Sequence, residues 1–551
     1  MEALPLLVLE SVCEYLAHGE PRKTSLLAFA SRFLQISINI KDGYFPQSLE
    51  RVERMLDETQ SRTCVRVLNL GWDRALYYEP YEMLMTPEKR FCASCPLQNA
   101  SFEGKKPRDA RWWKPLVRFL SSIHLKDVIW ASQEQVPRCI LSVLNEQIPR
   151  CRLHVYGFDL RSLHQSSKDS LQNINDTEFL LATSPCLYNI ITANKPTDNL
   201  HCDNYNDDAI LQLAAGMASN LKHVLVWDQT ITPSGEFERG KRHARLDWRG
   251  FRPQSDSEWC ATPITKGQLH SLTIDPRIAI FATRLTLWQK HIDFSVLRTL
   301  TLANRIELGA LQILVALAQQ DGLCHLKALD LPVIHEDHEE ADSTIARLLS
   351  LLNPLADLGV VAVGDCVYEA ALKQHGGSLQ VFRVKDTVLS AQQVTQLRES
   401  CPKIRKLSIE ILRSAGDQVE VKTYRNLGSM RYLESLSLVL HCIKSLQLQE
   451  IEEAKQVSNR RVRKAKQVSN HRFEKAFAVA YRQGLINAAV DKTLAMSIFR
   501  TIFDAHTYTK AYLPPKLTSI QLRVNASALG VAGGGLVLPR SPFPHRKKLG
   551  M

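Results

Sequence analysis

The sequence has no run of about eighteen or more apolar residues, the length needed to cross a hydrocarbon core, so no membrane span is expected. Its N-terminus has no basic stretch followed by a long apolar run and a small-residue cleavage site, so no secretory leader is expected either. There is no G-x-S-x-G elbow and no GxxxxGK[ST] loop, and the one triple glycine, Gly533–Gly535, falls in the C-terminal tail. Serine-hydrolase and P-loop chemistry therefore have no motif here, an enzyme is not expected, and no cofactor is called for. Thirteen cysteines, an odd number scattered over 551 residues, fit reduced thiols of the cytoplasm or nucleus better than a disulfide scaffold.

Charge of one sign is also scarce outside two places. Residues 454–475 contribute +7 and residues 540–551 contribute +4 of the formal +12, so the rest of the chain is close to neutral. A general nucleic-acid surface is not expected, whereas two local basic segments are. Metal-binding patterns are sparse too. Cys92 and Cys95 form a CxxC with no second ligand pair nearby, and zinc needs four ligands. His335 and His338 sit in HEDHEE, which lacks the HExxH spacing and reads as a solvated acidic loop. No metal site is expected.

The stretch Ala3–Ser37 reads as two short amphipathic helices. Leu6, Val8, Leu9, Val12, Cys13 and Leu16 fall on one helical stripe, with Pro5 where a helix tolerates a missing N–H. After a break at His18–Pro21, a second helix is expected through Leu26, Leu27, Phe29 and Phe33. Two such helices bury too little to stand alone and need a partner or a body to cap.

Beyond them a six-residue phrase recurs, apolar at its first, fourth and sixth positions. Examples are VRVLNL from Val65, LKDVIW from Leu125, LHVYGF from Leu153 and LKHVLV from Leu221. Others are LHSLTI from Leu269, LRTLTL from Leu297, LKALDL from Leu326, LGVVAV from Leu358, LQVFRV from Leu379, IRKLSI from Ile404, LESLSL from Leu433 and LTSIQL from Leu517, with a weaker LYNIIT from Leu187. Period-two alternation at the end of each phrase fits a strand with one buried face. The helix-like stretches between phrases, such as LGALQILVALAQQDG, make an alternating α/β pattern of the kind stacked solenoids show.

Two family resemblances follow. Leu4 and Pro5, the stripe Val8–Leu9–Val12–Leu16 and the LLAFASRF run resemble an F-box, the helical module that docks on the Skp-type adaptor of cullin-RING ubiquitin ligases. The phrases resemble irregular leucine-rich repeats, and the whole resembles fungal F-box proteins of that build. The implied fold is α/β: a helical module at 1–45, a repeat solenoid at 46–443 with a parallel sheet on its concave face and helices outside, a basic helical insertion at 444–510, a last repeat strand within 511–529 and a disordered basic tail at 530–551. The insertion repeats AKQVSN at an offset of eleven, close to three helical turns, so a long helix is expected there. Residues 80–112 and 228–265 read as surface loops.

The resemblance implies a substrate receptor whose partners are the Skp-type adaptor, the cullin ligase core and an unidentified protein target. Adaptor contacts are expected from Leu4, Pro5, Val8, Leu9, Val12, Leu16, Leu26, Leu27 and Phe29. If each phrase is a strand, the residues between its apolar positions, and the one after the last, line the concave face. That strip includes His223, Trp227, Thr273, Thr299, Thr301, Asp330, Arg383, Lys406 and Glu410, with Trp227 its strongest single candidate. The alternative reading is a leucine-rich interaction scaffold whose N-terminal hairpin is only a cap.

Overall fold

The computed structural model describes residues 35–41, 43–71, 109–132, 134–166, 174–194, 202–228, 248, 250–251, 266–275, 280–303, 305–334, 338–414, 416–442, 487, 489–508, 517–525 and 535–537. The chain divides into two compact units, Met1–Arg305 and Ile306–Met551. The fold is α/β, and in each unit an open, mainly parallel sheet takes its strands in chain order.

The sheet of the first unit runs β1 (Gln35–Asn39), β2 (Val67–Gly71), β3 (Asp127–Ala131), β4 (Arg152–Tyr156), β5 (Leu187–Asn194), β6 (His223–Asp228), β7 (Ser271–Asp275) and β8 (Thr299–Leu302), every neighbour parallel. Parallel neighbours need a crossover, and helices supply most of them: α1 (Phe45–Glu58), α2 (Ala110–Ser121), α3 (Arg138–Gln147), α4 (Asp176–Ala182), α5 (Asn206–Gln212) and α6 (Ala282–His291). The register stacks Leu70, Trp130, Val155, Ile190, Val224, Leu272 and Leu300 in one row, all buried. This is the core face, covered by the helices. Trp113 of α2 lies between Phe45 of α1 and Trp130 of β3, at 5.6 and 5.5 Å between ring centroids. The Trp130 indole donates to the Glu134 carbonyl at 2.6 Å, so this buried polar group is satisfied.

In the second unit the order is β9 (Ala328–Asp330), β10 (Asp357–Val361), β11 (Val381–Leu389), β12 (Lys406–Leu412), β13 (Ser435–His441), β14 (Ser519–Asn525) and β15 (Gly535–Val537). All pairs are parallel except the last. Helices α7 (Leu308–Gln319), α8 (His338–Leu351), α9 (Asp365–His375), α10 (Ala391–Ser400), α11 (Gln418–Gly428) and α12 (Lys492–Tyr508) pack in that order, each on the next or previous one. Leu329, Leu358, Phe382, Leu407, Leu436 and Ile520 form the matching buried row. Helix α10 opens with a capping box, Ser390 and Gln393 bonding each other's backbone N–H. Helices α11 and α12 meet at Gly428, where a Cβ would lie 2.1 Å from the Ile502 carbonyl oxygen.

Several sequence expectations are corrected. Gln35–Asn39 is a strand, with Ile36 opposite Leu68 and Ile38 opposite Leu70, so the sheet begins inside the segment assigned to the helical module and before residue 46. In two phrases the frame is off by three. Leu153 pairs with Val128, which occupies the fourth position, so Tyr156 lies on the face opposite the core row. Leu358 likewise pairs with Leu329, the fourth position of its phrase, so Leu355 opens that repeat and Val361 leaves the core face. Ala110–Trp112, expected at the end of a surface loop, open the helix Ala110–Ser121. Lys492–Tyr508 is the helix packed on α11 and thus part of the repeat array. Gly535–Val537, expected in a disordered tail, pairs with Gln521–Arg523. The described residues do not include the basic stretch 454–475, Cys92, Cys95 or His335.

Candidate interaction surface

Side chains alternate across a strand, so the residues between the core positions form the second face of each sheet. In the first unit the register aligns Asn69, Ile129, His154, Asn189, His223, Ser271 and Thr299 in one row. The next row holds Gly71, Ala131, Tyr156, Ile191, Leu225, Thr273 and Thr301. The expected residues His223, Thr273, Thr299 and Thr301 are therefore brought onto one face, with Trp227 one step further along, opposite Ala193 and Asp275.

Their exposure differs from the expected open strip. Thr273 and Thr301 are buried. Ile129, Ala131, Tyr156, Ile191 and Leu225 form a buried apolar cluster, and Trp227 packs half-buried against it. Trp227 is thus a flank of that cluster and not a free anchor. His223 and Thr299 are half-buried.

A charged network that sequence reasoning missed lies beside His223. Asp127 is buried and takes two bonds from Arg152, Nε at 2.5 Å and Nη2 at 2.7 Å, and one contact from His154 Nε2 at 3.0 Å. The other His154 nitrogen faces Asn189 Nδ2 at 3.5 Å, which makes Nδ1 the acceptor and leaves the Nε2 proton for Asp127. Burial pushes the Asp127 carboxyl up, but hydrogen bonds from His154 and Arg152 outweigh it and hold it down at about 2. The Arg152 guanidinium lies 4.9 Å from the centroid of the Tyr188 ring, and Tyr188 lies 5.1 Å from His223. Burial, then the electrostatic influence of His270, His154, Arg152 and Lys222, lowers His223 to about 4. It is neutral at pH 7.

In the second unit Asp330, Gly359, Arg383, Ser408 and Ser437 share a row, and Asp357, Val381, Lys406 and Ser435 form the one before it. Arg383 is buried and its Nη2 bonds Asp330 at 2.9 Å and Asp357 at 2.5 Å. Burial raises the Asp357 carboxyl above the usual range, and Arg383 offsets this only in part because Asp330 adds like charge. Glu410 is buried too, bonded to His441 at 2.5 Å and to the Asp386 N–H at 2.9 Å. Asp386 is in the left-handed region, φ 53°, where the β11 register shifts. Of the four residues expected here, Arg383 and Glu410 are held in these contacts, Asp330 is half-buried, and Lys406 is exposed.

The expected adaptor contacts, Leu4 through Phe29, lie outside the described residues. Among the described residues no cluster of His, Cys, Asp and Glu is placed to hold a metal ion, and no helix is long and apolar enough to cross a membrane. No family model matches the chain, and no curated protein matches it either.

Proposed function

We infer that this chain is a protein-recognition subunit, a substrate receptor of a Skp/cullin/F-box ubiquitin ligase that binds its target on the second face of the sheet. The supporting observation is the build of each unit: parallel strands in chain order with helices on one face, leaving the other face to carry Lys406 exposed and Arg152, Tyr188, His223 and Ser435 half-buried. Such an array positions a ligand over a long surface and does no bond chemistry. The N-terminal resemblance supplies the ligase half of the reading, with an apolar helical face laid into the adaptor.

A scaffold reading, in which the N-terminal hairpin only caps the array, is favoured by one observation. Strand β1, the first described strand of the sheet, begins at Gln35, within the segment read as the helical module. The test is adaptor binding by the full chain, by a chain starting at residue 35, which keeps β1, and by a Pro5→Ala, Leu16→Ala double variant. Loss of binding in both altered proteins, with the thermal melt unchanged, supports the receptor. An intact chain that binds no adaptor leaves the scaffold.

A further inference from the structure

Helix α2 is fixed in rotation by its inner face. Trp113, Leu116, Phe119 and Leu120 are buried, with Trp113 against Trp130 of β3. The helical period therefore sends Arg111, Lys114, Pro115 and Arg118 to the opposite side, and all four are exposed. The three cations are spaced about 4.5 and 6 Å apart along the axis, one stripe about two turns long. From Ala110 to Lys126 the chain has four Lys/Arg and no acid.

Cations on three other helices are met by acids. Arg54 bonds Glu50 at 3.0 Å on α1, Arg284 of α6 bonds Asp207 of α5 at 3.1 Å, and Arg398 bonds Glu399 at 2.9 Å on α10. Among the described residues, the side chains of Arg111, Lys114 and Arg118 take part in no hydrogen bond or ion pair. Asp109 caps the helix, accepting the Arg111 N–H at 3.2 Å. Asp57 of α1 is held by Arg62 at 2.8 Å. Glu53 of α1 and Glu146 of α3, the helices packed against α2, form no ion pair with the stripe. Like charges three and four residues apart repel on a helix. Arg111, in the first turn, also opposes the helix dipole. The stripe is thus a small cost to the fold that an anionic partner relieves.

We propose that the outer stripe of α2 docks an acidic helix of a partner protein, on the side of the array opposite the second face of the sheet. A helix with carboxylates at positions i, i+3 and i+7 repeats the spacing of Arg111, Lys114 and Arg118 and lies along them as a narrow rod. The neighbouring helix α1 carries Glu50, Glu53, Asp57 and Glu58. A broad anionic surface, whether a lipid bilayer or a long nucleic acid, meets those acids as well, whereas a single helix does not. This surface goes beyond the recognition reading above and does not rest on it.

The test uses the full chain and a fluorescein-labelled, alanine-rich helical peptide bearing one stripe of glutamates, read by anisotropy at low and high salt. The same peptide with glutamines, an oligouridylate and phosphatidylserine vesicles serve as comparisons. The glutamate peptide is expected to bind, the glutamine peptide not, and the affinity to fall as salt rises. An Arg111→Gln, Lys114→Gln, Arg118→Gln variant, its thermal melt unchanged or raised, is expected to lose about tenfold in affinity. Arg118→Glu alone, which leaves the inner face of α2 untouched, is expected to weaken binding as well. An Arg460→Gln, Arg461→Gln, Arg463→Gln variant, altered in the basic segment, keeps wild-type affinity. No binding by the wild-type chain, or equal affinity of the wild type and the α2 variants, overturns the proposal. Tighter binding of the oligouridylate or the vesicles, lost in the α2 variants, overturns it too.

Discussion

Arg383 Nη2 meets Asp330 Oδ1 at 2.9 Å across an intervening strand that contributes only Gly359 at that level. A Cβ on Gly359 would lie 1.8 Å from Asp330 Oδ1. The glycine is there for space: its missing side chain lets two residues on next-nearest strands reach each other. The arginine is buried, so the pairing matters more than a surface ion pair would.

Gly359→Ala is therefore expected to swing Asp330 away and leave Arg383 with Asp357 alone, at a cost of about 2 kcal/mol. Urea unfolding of the second unit's transition measures it. In an Asp330→Ala background the same alanine substitution is expected to cost less, because the clash is gone. Equal costs in the two backgrounds would refute the clearance argument.

Asp127 offers an acid-range signature. Its folded carboxyl sits at about 2, below the ordinary value of 3.8, so its contribution is present above the unfolded value and is lost as pH falls from about 4 towards 2. Asp127→Asn is expected to lower stability by about 2 kcal/mol at pH 7 and to flatten the acid limb of the denaturation midpoint against pH. A variant with an unchanged acid limb would count against the network.

His375 acts in the opposite sense. It is fully buried, its Nδ1 accepts the Leu355 N–H at 3.2 Å, and burial lowers it to about 4. The unfolded chain takes up that proton near pH 6.5, so stability is full above about 6.5 and falls as pH drops towards 4, by up to about 3 kcal/mol. His375→Asn, which keeps an acceptor for Leu355 and does not titrate there, should reduce the loss between pH 7 and pH 5. Identical midpoint shifts for both proteins over that interval would contradict the assignment.

The repeat frame can be checked by truncation of side chains. Leu355 is fully buried, whereas Val361 is half-buried on the other face. Leu355→Ala should cost about 2–5 kcal/mol and Val361→Ala about 1 kcal/mol or less. The reverse order would restore the frame that starts at Leu358.

Much of the strand placement was legible in the chain itself. The apolar phrases at Val65, Leu125, Leu221, Leu269, Leu297, Leu326, Leu379, Ile404, Leu433 and Leu517 lie where strands form, because alternation in a strand puts their fourth and sixth residues on one buried face. Two phrases slipped because Leu153 and Leu358 are each followed by an apolar residue at both spacings, and a local pattern cannot say which one a neighbouring strand will meet. Strand β1 was hidden by a helical reading of Leu26 to Phe33 that ran on to Ser37, although Ile36 and Ile38 carry the same alternation.

Local sequence determined which residues alternate and so which face each occupies. Tertiary structure decided which of them touch. Asp127 and Arg152 are 25 residues apart and Asp330 and Arg383 are 53 apart. Parallel hydrogen bonding sets the register that brings each pair together, and no period within one strand encodes it. The same ladder sets His154, Asn189 and His223, residues of three different phrases, side by side in one row of the second face. No phrase read alone announces that row, because a residue has no cross-strand neighbour until the strands are stacked.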